Sequence, residues 1–219
     1  MGSVMRVSQD SPTQAALDAA MKVLEAGGVI VSPTDSVYGL VCAATLGNPA
    51  HQRIFKIKNR PATQTLPLFV ADPEDLPRFA TSVPSWARAL VGAYWPGALT
   101  LVVTASDALP TEYLAPTGTV ALRCPNSTLV RELARRVGPL AQTSANTHGE
   151  PSATSGASVE PQIIEAADLT LDGGPAPLAV ASTIVDCTGA SPRVLREGAI
   201  AEKDVLRVAE AYPFLAIGP

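Results

Sequence analysis

TVALRCPNSTLVRELARRVGPLAQTSAN, residues 119–146, reads as strand, helix, strand. Thr119 to Cys124 suits a pleated, half-buried surface, although Arg123 interrupts it. Ser127 stands where a helix cap belongs. Leu129, Leu133 and Val137 recur at helical spacing, so Ser127 to Val137 is predicted as an amphipathic helix with those residues inward. Gly138 stops it. Leu140 to Thr143 then predicts a further short strand.

The same alternation continues on both sides. Upstream, Ser11 is expected to cap the first helix, with Pro12 in its first turn and Gln14 completing a capping box. Leu17, Met21 and Leu24 share one face, and Gly27-Gly28 ends the helix. Val29 to Val31 predicts a buried strand. Asn48 caps a helix over Pro49 to Lys58, another starts near Asp72-Pro73, and a fourth spans Pro84 to Trp95. Leu99 to Thr104 follows as a strand after the Pro96-Gly97 turn. Downstream, strands are expected at Leu169 to Leu171 and Thr183 to Asp186, and a last helix at Glu202 to Ala211. Strands alternating with helices indicate an α/β fold. Connections of irregular length point to a mixed parallel and antiparallel sheet flanked by helices. We read 1–219 as a single domain, with its core at about 13–200 and a C-terminal helix at 202–211.

Composition narrows the function. Hydrophobic residues make up 47% and charged residues 16% of 219, which predicts a substantial core. Aromatics are only 5%, and the formal net charge is -4. Both weigh against a surface built for nucleic acid. Cys42, Cys124 and Cys187 lie far apart with no CxxC, so buried thiols in a reducing compartment, the cytoplasm, are expected. His51 and His148 are too few for an imidazole metal site. No apolar run approaches a membrane span, and neither a leader nor a lipidation signal is expected, because Arg6 stands where myristoylation needs Ser or Thr. Phosphate loops, dinucleotide fingerprints, nucleophile elbows and HExxH are all absent from the sequence.

Several segments carry candidate chemistry. Pro33-Thr34-Asp35-Ser36-Val37-Tyr38-Gly39-Leu40 follows a buried strand, where open α/β sheets bind ligands. It is either a site or an ordinary turn with a local bond from Asp35. Lys56, Lys58 and Arg60 come off a helix end, where they meet the helix dipole or form a phosphate clamp. Arg123 is either an edge residue or needs an anionic partner such as a carboxylate. Thr143-Ser144-Ala145-Asn146 could bring backbone N–H groups to an anion. His148 shares that loop, which runs on through Thr154. Ser182-Thr183 opens a strand, and Arg196 precedes a Gly turn. Arg60 to Thr65 and His148 to Thr154 are the candidate lids.

Taken together, these segments resemble the YrdC-like family of threonylcarbamoyl-AMP synthases. The matching pieces are Pro33 to Leu40, Lys58-Asn59-Arg60-Pro61 with Pro67-Leu68, Trp95 to Thr100, Thr119 to Arg123, Ser144-Ala145-Asn146, Ser182 to Asp186 and Leu195 to Gly198. They run in order from about Gly27 to Ile200.

The resemblance implies a twisted α/β open sandwich with a deep basic cleft. It also implies condensation of L-threonine, bicarbonate and ATP into threonylcarbamoyl-AMP and pyrophosphate, with Mg²⁺ carried on the phosphates and no dedicated protein cage. By the same resemblance Lys58 and Arg60 are catalytic. ATP is held by Lys58, Arg60, Thr119, Ser144, Asn146, Thr154 and Arg196. Threonine is contacted by Thr34, Ser36, Tyr38, Arg123, Ser144 and Ser182. The implied partners are a threonylcarbamoyl transferase complex and tRNA, which is modified next to the anticodon. Two features depart from the family pattern: a long segment from Arg60 to Pro67, with Leu66 before the proline, and Ala71 where relatives often carry His. The chain is read as a stand-alone catalytic domain. The alternatives are an RNA-binding module and a carbamoyl-transfer enzyme on the same scaffold.

Overall fold

A computed structural model describes residues 3–61 and 64–212. In chain order the elements are β1 (Ser3–Arg6), α1 (Gln14–Glu25), β2 (Ile30–Ser32), β3 (Gly39–Ala43), α2 (Pro49–Lys58), β4 (Leu68–Phe69), α3 (Leu76–Phe79), β5 (Ala80–Thr81), α4 (Ser85–Tyr94), β6 (Leu99–Ala105), β7 (Thr119–Arg123), α5 (Thr128–Val137), β8 (Leu140–Ser144), α6 (Pro161–Ala166), β9 (Leu169–Asp172), β10 (Thr183–Asp186), β11 (Arg193–Arg196) and α7 (Glu202–Glu210).

The strands form one sheet, ordered β1-β9-β2-β3-β8-β4-β7-β6-β10-β11, with β5 beside β6. β9 runs parallel to β1 and β2, β4 to β7, and β6 to β10. The other neighbours are antiparallel, so the sheet is mixed. The strand-helix-strand unit at 119–146 forms as expected, but its two strands do not touch. The two-residue β4 sits between them, parallel to β7 and antiparallel to β8.

Alternation along the strands decides the layers. One face presents Leu40, Leu68, Leu99, Leu101, Val103, Leu122, Ala141 and Val185, packed with Ile54 of α2, Trp86 and Leu90 of α4, and Val205 of α7. On the opposite face Ile30, Val41, Leu140, Leu169 and Leu171 lie under Leu17, Ala20 and Leu24 of α1 and Leu129 and Leu133 of α5. These two helices cover the β9-β2-β3-β8 end of that face, with Met5 of β1 and Phe69 of β4 at its margins. Over β7, β6 and β10 the same face carries Ala121, Thr100, Val102 and Ile184, which line a cleft. The result is a sandwich with one quarter left open.

Local chemistry explains the helix ends. Asn48 caps α2 by accepting from Ala50 N at 2.9 Å, and Ser127 caps α5 through Val130 N. The expected Ser11 cap is corrected. Thr13 caps α1, its hydroxyl accepting from Ala16 N at 3.3 Å, while Gln14 is already helical and bonds Asp18. Pro12 and Thr13 lie before the helix, so the cap falls two residues later. In α5, Leu129 and Leu133 are buried as expected, Val130 joins them, and Val137 is half-buried.

His51 on α2 is buried between the rings of Phe55 and Tyr113, and its Nε2 has no partner among the described residues. Burial holds its pKa below the ordinary imidazole value, against a smaller upward pull from Glu112. The unfolded chain takes up this proton first as pH falls. Its contribution to stability is therefore complete above about pH 6.5 and is lost as pH drops from there toward the lower folded value. The melting temperature should fall between pH 7.5 and 5.5, and His51→Gln should flatten that dependence. An equal slope in the variant would assign the dependence to other groups.

Candidate functional site

The cleft has a volume of about 470 Å³ on the uncovered quarter of the sheet. Its floor is built from alternate residues of five strands: Phe69 of β4, Ala121 and Arg123 of β7, Thr100 and Val102 of β6, Gln142 and Ser144 of β8, and Ile184 of β10. Its walls are Ser36-Val37, the end of α2 with Lys58 and Arg60, the loop through Asn146, His148 and Ser152, and Ser182 with Arg196. Four cations line it, Lys58, Arg60, Arg123 and Arg196, and no carboxylate does so among the described residues. In a chain of net charge -4, that is a strong segregation of charge.

Each cation is held differently. Lys58 is 2% exposed, and its ammonium donates to Ser144 O at 2.5 Å, Asn146 O at 2.6 Å and Asn146 Oδ1 at 3.3 Å. Burial, then the neighbouring Arg60, pushes its pKa down to about 8, against an upward pull from Glu160. Arg60 donates to Gln64 Oε1 at 2.9 Å and Thr143 Oγ1 at 3.1 Å. Arg196 donates to Ser182 O at 2.8 Å and Ser182 Oγ at 3.2 Å. Burial lowers the pKa of both guanidiniums, which stay charged.

Arg123 is 3% exposed and already has an internal partner. Its Nη2 meets Asp35 Oδ1 at 2.5 Å, Nη1 donates to Ser36 Oγ at 2.8 Å, and Nε donates to Gly97 O at 2.9 Å. The guanidinium also lies over the Phe69 ring, 5.3 Å from its centre. Asp35 therefore does not make the expected local turn bond. Thr34 takes that part: its hydroxyl accepts from Ser36 N and Val37 N and donates to Val37 O at 2.7 Å. This frees Asp35 to reach across the sheet.

Ser36, Lys58, Arg60, Arg123, Ser144, Asn146, Ser182 and Arg196 thus converge on one cleft. Four other anticipated residues do not line it. Thr34 is fully buried beneath Ser36, the two hydroxyls 3.0 Å apart. Tyr38 is fully buried and donates to Gly174 O at 2.6 Å. Burial pushes this phenol up to about 12. Thr119 lies on the face of Ala121 but two residues further out, its hydroxyl 2.9 Å from that of Thr117. Thr154 ties the backbone of the 176 loop, accepting from Ala176 N at 2.7 Å. Of the lid segments, 148–154 is described, while Ala62 and Thr63 of 60–65 lie outside the described residues.

The sequence gives no site role to Thr100 or Gln142, and to Asp35 only a turn bond. Thr100 is buried with its hydroxyl 2.9 Å from that of Ser182. Its signal was available: it is a Thr of opposite parity to Leu99, Leu101 and Val103. Gly198 also matters. A Cβ there would lie 2.2 Å from Ala181 O and 2.6 Å from Ser182 O, both backbone atoms. Gly198→Ala should displace Ser182 and, through it, Arg196. We expect a destabilisation of about 1–3 kcal/mol, read by thermal melting, and a weakened cleft. An unchanged melting temperature would mean that the Ser182 backbone yields without cost.

An open α/β sheet with a polycationic, hydroxyl-rich cleft on its bare face has the charge and the donors that anionic groups require. The family model described as "Telomere recombination", Sua5/YciO/YrdC, matches residues 22–198. The chain is 36% identical over 185 residues to a threonylcarbamoyl-AMP synthase of Pyrococcus abyssi, covering 83% of this chain and 54% of that protein. It is 34% identical over 187 residues to a threonylcarbamoyl-AMP synthase of Stenotrophomonas maltophilia, covering 82% and 97%. The structure of P. abyssi Sua5 complexed with L-threonine superposes with a TM-score of 0.87 at 31% identity, over 96% of this chain and 62% of that one. The chain belongs to the Sua5/YciO/YrdC family.

Among the described residues no helix is long and apolar enough to cross a membrane. Nor do these residues hold a group of three His, Cys, Asp or Glu placed to bind a metal.

Proposed function

We propose that this chain is an L-threonylcarbamoyladenylate synthase, which joins L-threonine, bicarbonate and ATP into threonylcarbamoyl-AMP and pyrophosphate. The observation that carries the reading is the cleft itself, four cations without a carboxylate beside the paired hydroxyls of Thr100 and Ser182. A triphosphate, a carboxylate and a carbamate are all anions, so such a lining suits every substrate group at once.

The chemistry asks little of the protein beyond placement. Threonine's amine and bicarbonate give a carbamate and water. A carbamate oxygen then attacks the α-phosphorus, and pyrophosphate leaves. No protein nucleophile is needed. Lys58, Arg60 and Arg196 would hold the phosphates and balance the charge that develops on the leaving pyrophosphate. Arg123 spends three of its five donors inside the protein and would offer the rest to the threonine carboxylate. Ser36, Ser144 and Ser182 would complete the threonine pocket, and Asn146 the nucleotide side. Thr34 and Tyr38 would act by holding the 34–38 backbone. Among the described residues the lining offers hydroxyls but no carboxylate, which fits Mg²⁺ arriving on the ATP phosphates, where it would neutralise part of their charge. The 148–154 segment would shield the carbamate from water. The product would pass to a threonylcarbamoyl transferase complex in the cytoplasm, for the tRNA adenosine beside the anticodon.

The test is pyrophosphate release from ATP with Mg²⁺ and bicarbonate, with and without L-threonine. Release that requires both threonine and bicarbonate supports the synthase. Release indifferent to threonine points to carbamoyl transfer onto another acceptor. No release from folded protein, with salt-dependent tRNA binding, would favour an RNA-binding module.

A further inference from the structure

Glu160 lies outside the cleft lining and has no part in the chemistry above. It immediately precedes α6, where a carboxylate could cap its own helix, yet it makes no such bond. Instead it reaches back to the cleft loop. Its Oε1 accepts from Thr147 N at 2.6 Å, and its Oε2 accepts from Thr147 Oγ1 at 2.8 Å and from Gln162. Thr147 directly follows Asn146, and the carbonyls of Ser144 and Asn146 are two of the three seats of the Lys58 ammonium. The next residue, His148, closes the circuit by donating its backbone N–H to Lys58 O at 2.9 Å. Asn146 is braced from the far side, its amide donating to Glu150 O at 2.7 Å.

We propose that Glu160 is a positioning residue for Lys58: by pinning Thr147 with two hydrogen bonds it fixes the loop carbonyls that seat the ammonium in the cleft. The proposal rests on the synthase reading for its kinetic consequence but not for its structural one.

Electrostatics act in the same direction. Burial and Arg60 disfavour the charged form of Lys58, and Glu160 favours it. The same pair of bonds to Thr147 holds the Glu160 carboxyl below its ordinary range, so it is ionised wherever Lys58 titrates. Among the described residues the other charged or titratable side chains lining the cleft are Arg123, Arg196 and His148, none of them negative, while Asp35, behind the lining, is paired to Arg123. The alkaline limit of activity should therefore be set by Lys58 and tuned by Glu160.

The experiment uses Glu160→Gln, which keeps the shape and an acceptor oxygen but removes the charge. The chain has four lysines, Lys22, Lys56, Lys58 and Lys203, so their ε-carbons can be followed by NMR after ¹³C-lysine labelling, with Lys58→Arg assigning the signal. In the parent protein Lys58 should titrate near 8. In Glu160→Gln its midpoint should fall by roughly 0.5 pH unit or more, and the alkaline limb of kcat/KM for ATP should fall with it. Glu160→Asp should recover part of the shift. Thr147→Val, which keeps the charge and loses one bond, should leave the midpoint close to the parent value and lower kcat.

An unchanged Lys58 midpoint in folded Glu160→Gln overturns the proposal. A midpoint that moves while Thr147→Val keeps the parent's kcat reduces Glu160 to a nearby charge and also overturns it, whereas no pyrophosphate release from the parent protein overturns the synthase reading instead.

Discussion

Arg123→Leu should unfold at a much lower temperature than the parent protein. The side chains of Arg123 and Asp35 are 4% and 5% exposed, and their ion pair is closed at 2.5 Å. Removing the guanidinium strands a buried carboxylate whose other oxygen, Oδ2, already lacks a partner among the described residues. Breaking one side of a buried pair costs about 3–5 kcal/mol, which for a chain of this size lowers the melting temperature by about 6–20 °C. A companion variant separates charge from packing. Asp35→Asn combined with Arg123→Leu should recover part of the loss, because the stranded charge is gone. A melting temperature within 2–3 °C of the parent value would mean that water reaches Asp35 and that the pair is not the brace described here.

Lys58→Ala should retain its fold and lose activity. The ammonium is bonded to main-chain carbonyls of the 144–146 segment, and Lys58 is the one lysine among the described residues lining the cleft. Its removal takes one positive charge from the cleft and leaves two carbonyls to find water. Losing one preorganised donor of this kind typically costs 10²–10³ in rate, so kcat/KM for ATP should drop by about that factor. Lys58→Arg should not rescue it, since a planar fork cannot occupy a seat built for a compact ammonium. Steady-state pyrophosphate release with circular dichroism as the folding control reads both outcomes. Retention of more than a tenth of the activity would assign the phosphates to Arg60 and Arg196 alone.

Local signals in the chain account for much of this architecture. The helix at 49–58 begins and ends where Asn48, Pro49 and the basic last turn predict, and β7, α5 and β8 follow their apolar spacing. What escaped has physical reasons. β3, Gly39–Ala43, is buried at all five positions, so it shows no alternation, and its leading glycine reads as a break. β1 and β11 are edge strands with largely exposed residues, and so lack an apolar run. β4 and β5 are two residues each and exist only because neighbours pair with them. At the site, the cations and hydroxyls were legible because their side chains name them. The seat of Lys58 was not, because carbonyls of residues 144 and 146 carry no sequence signature. The Asp35–Arg123 pair joins residues 88 positions apart and could not be read from either neighbourhood.

The parity of β7 also bears on how the chain finds its register. Val120 and Leu122 face the helices, while Ala121 and Arg123 face the cleft. A slip of one residue between β7 and β6 would exchange the two sets at a stroke. Leu122 would then stand in a bare cationic trough, and Arg123 would be driven among Leu99, Leu101 and Trp86 with no carboxylate to meet it. Few single errors in this sheet would be so costly. A buried guanidinium on the cleft face therefore disfavours that register, over and above the pair it makes with Asp35.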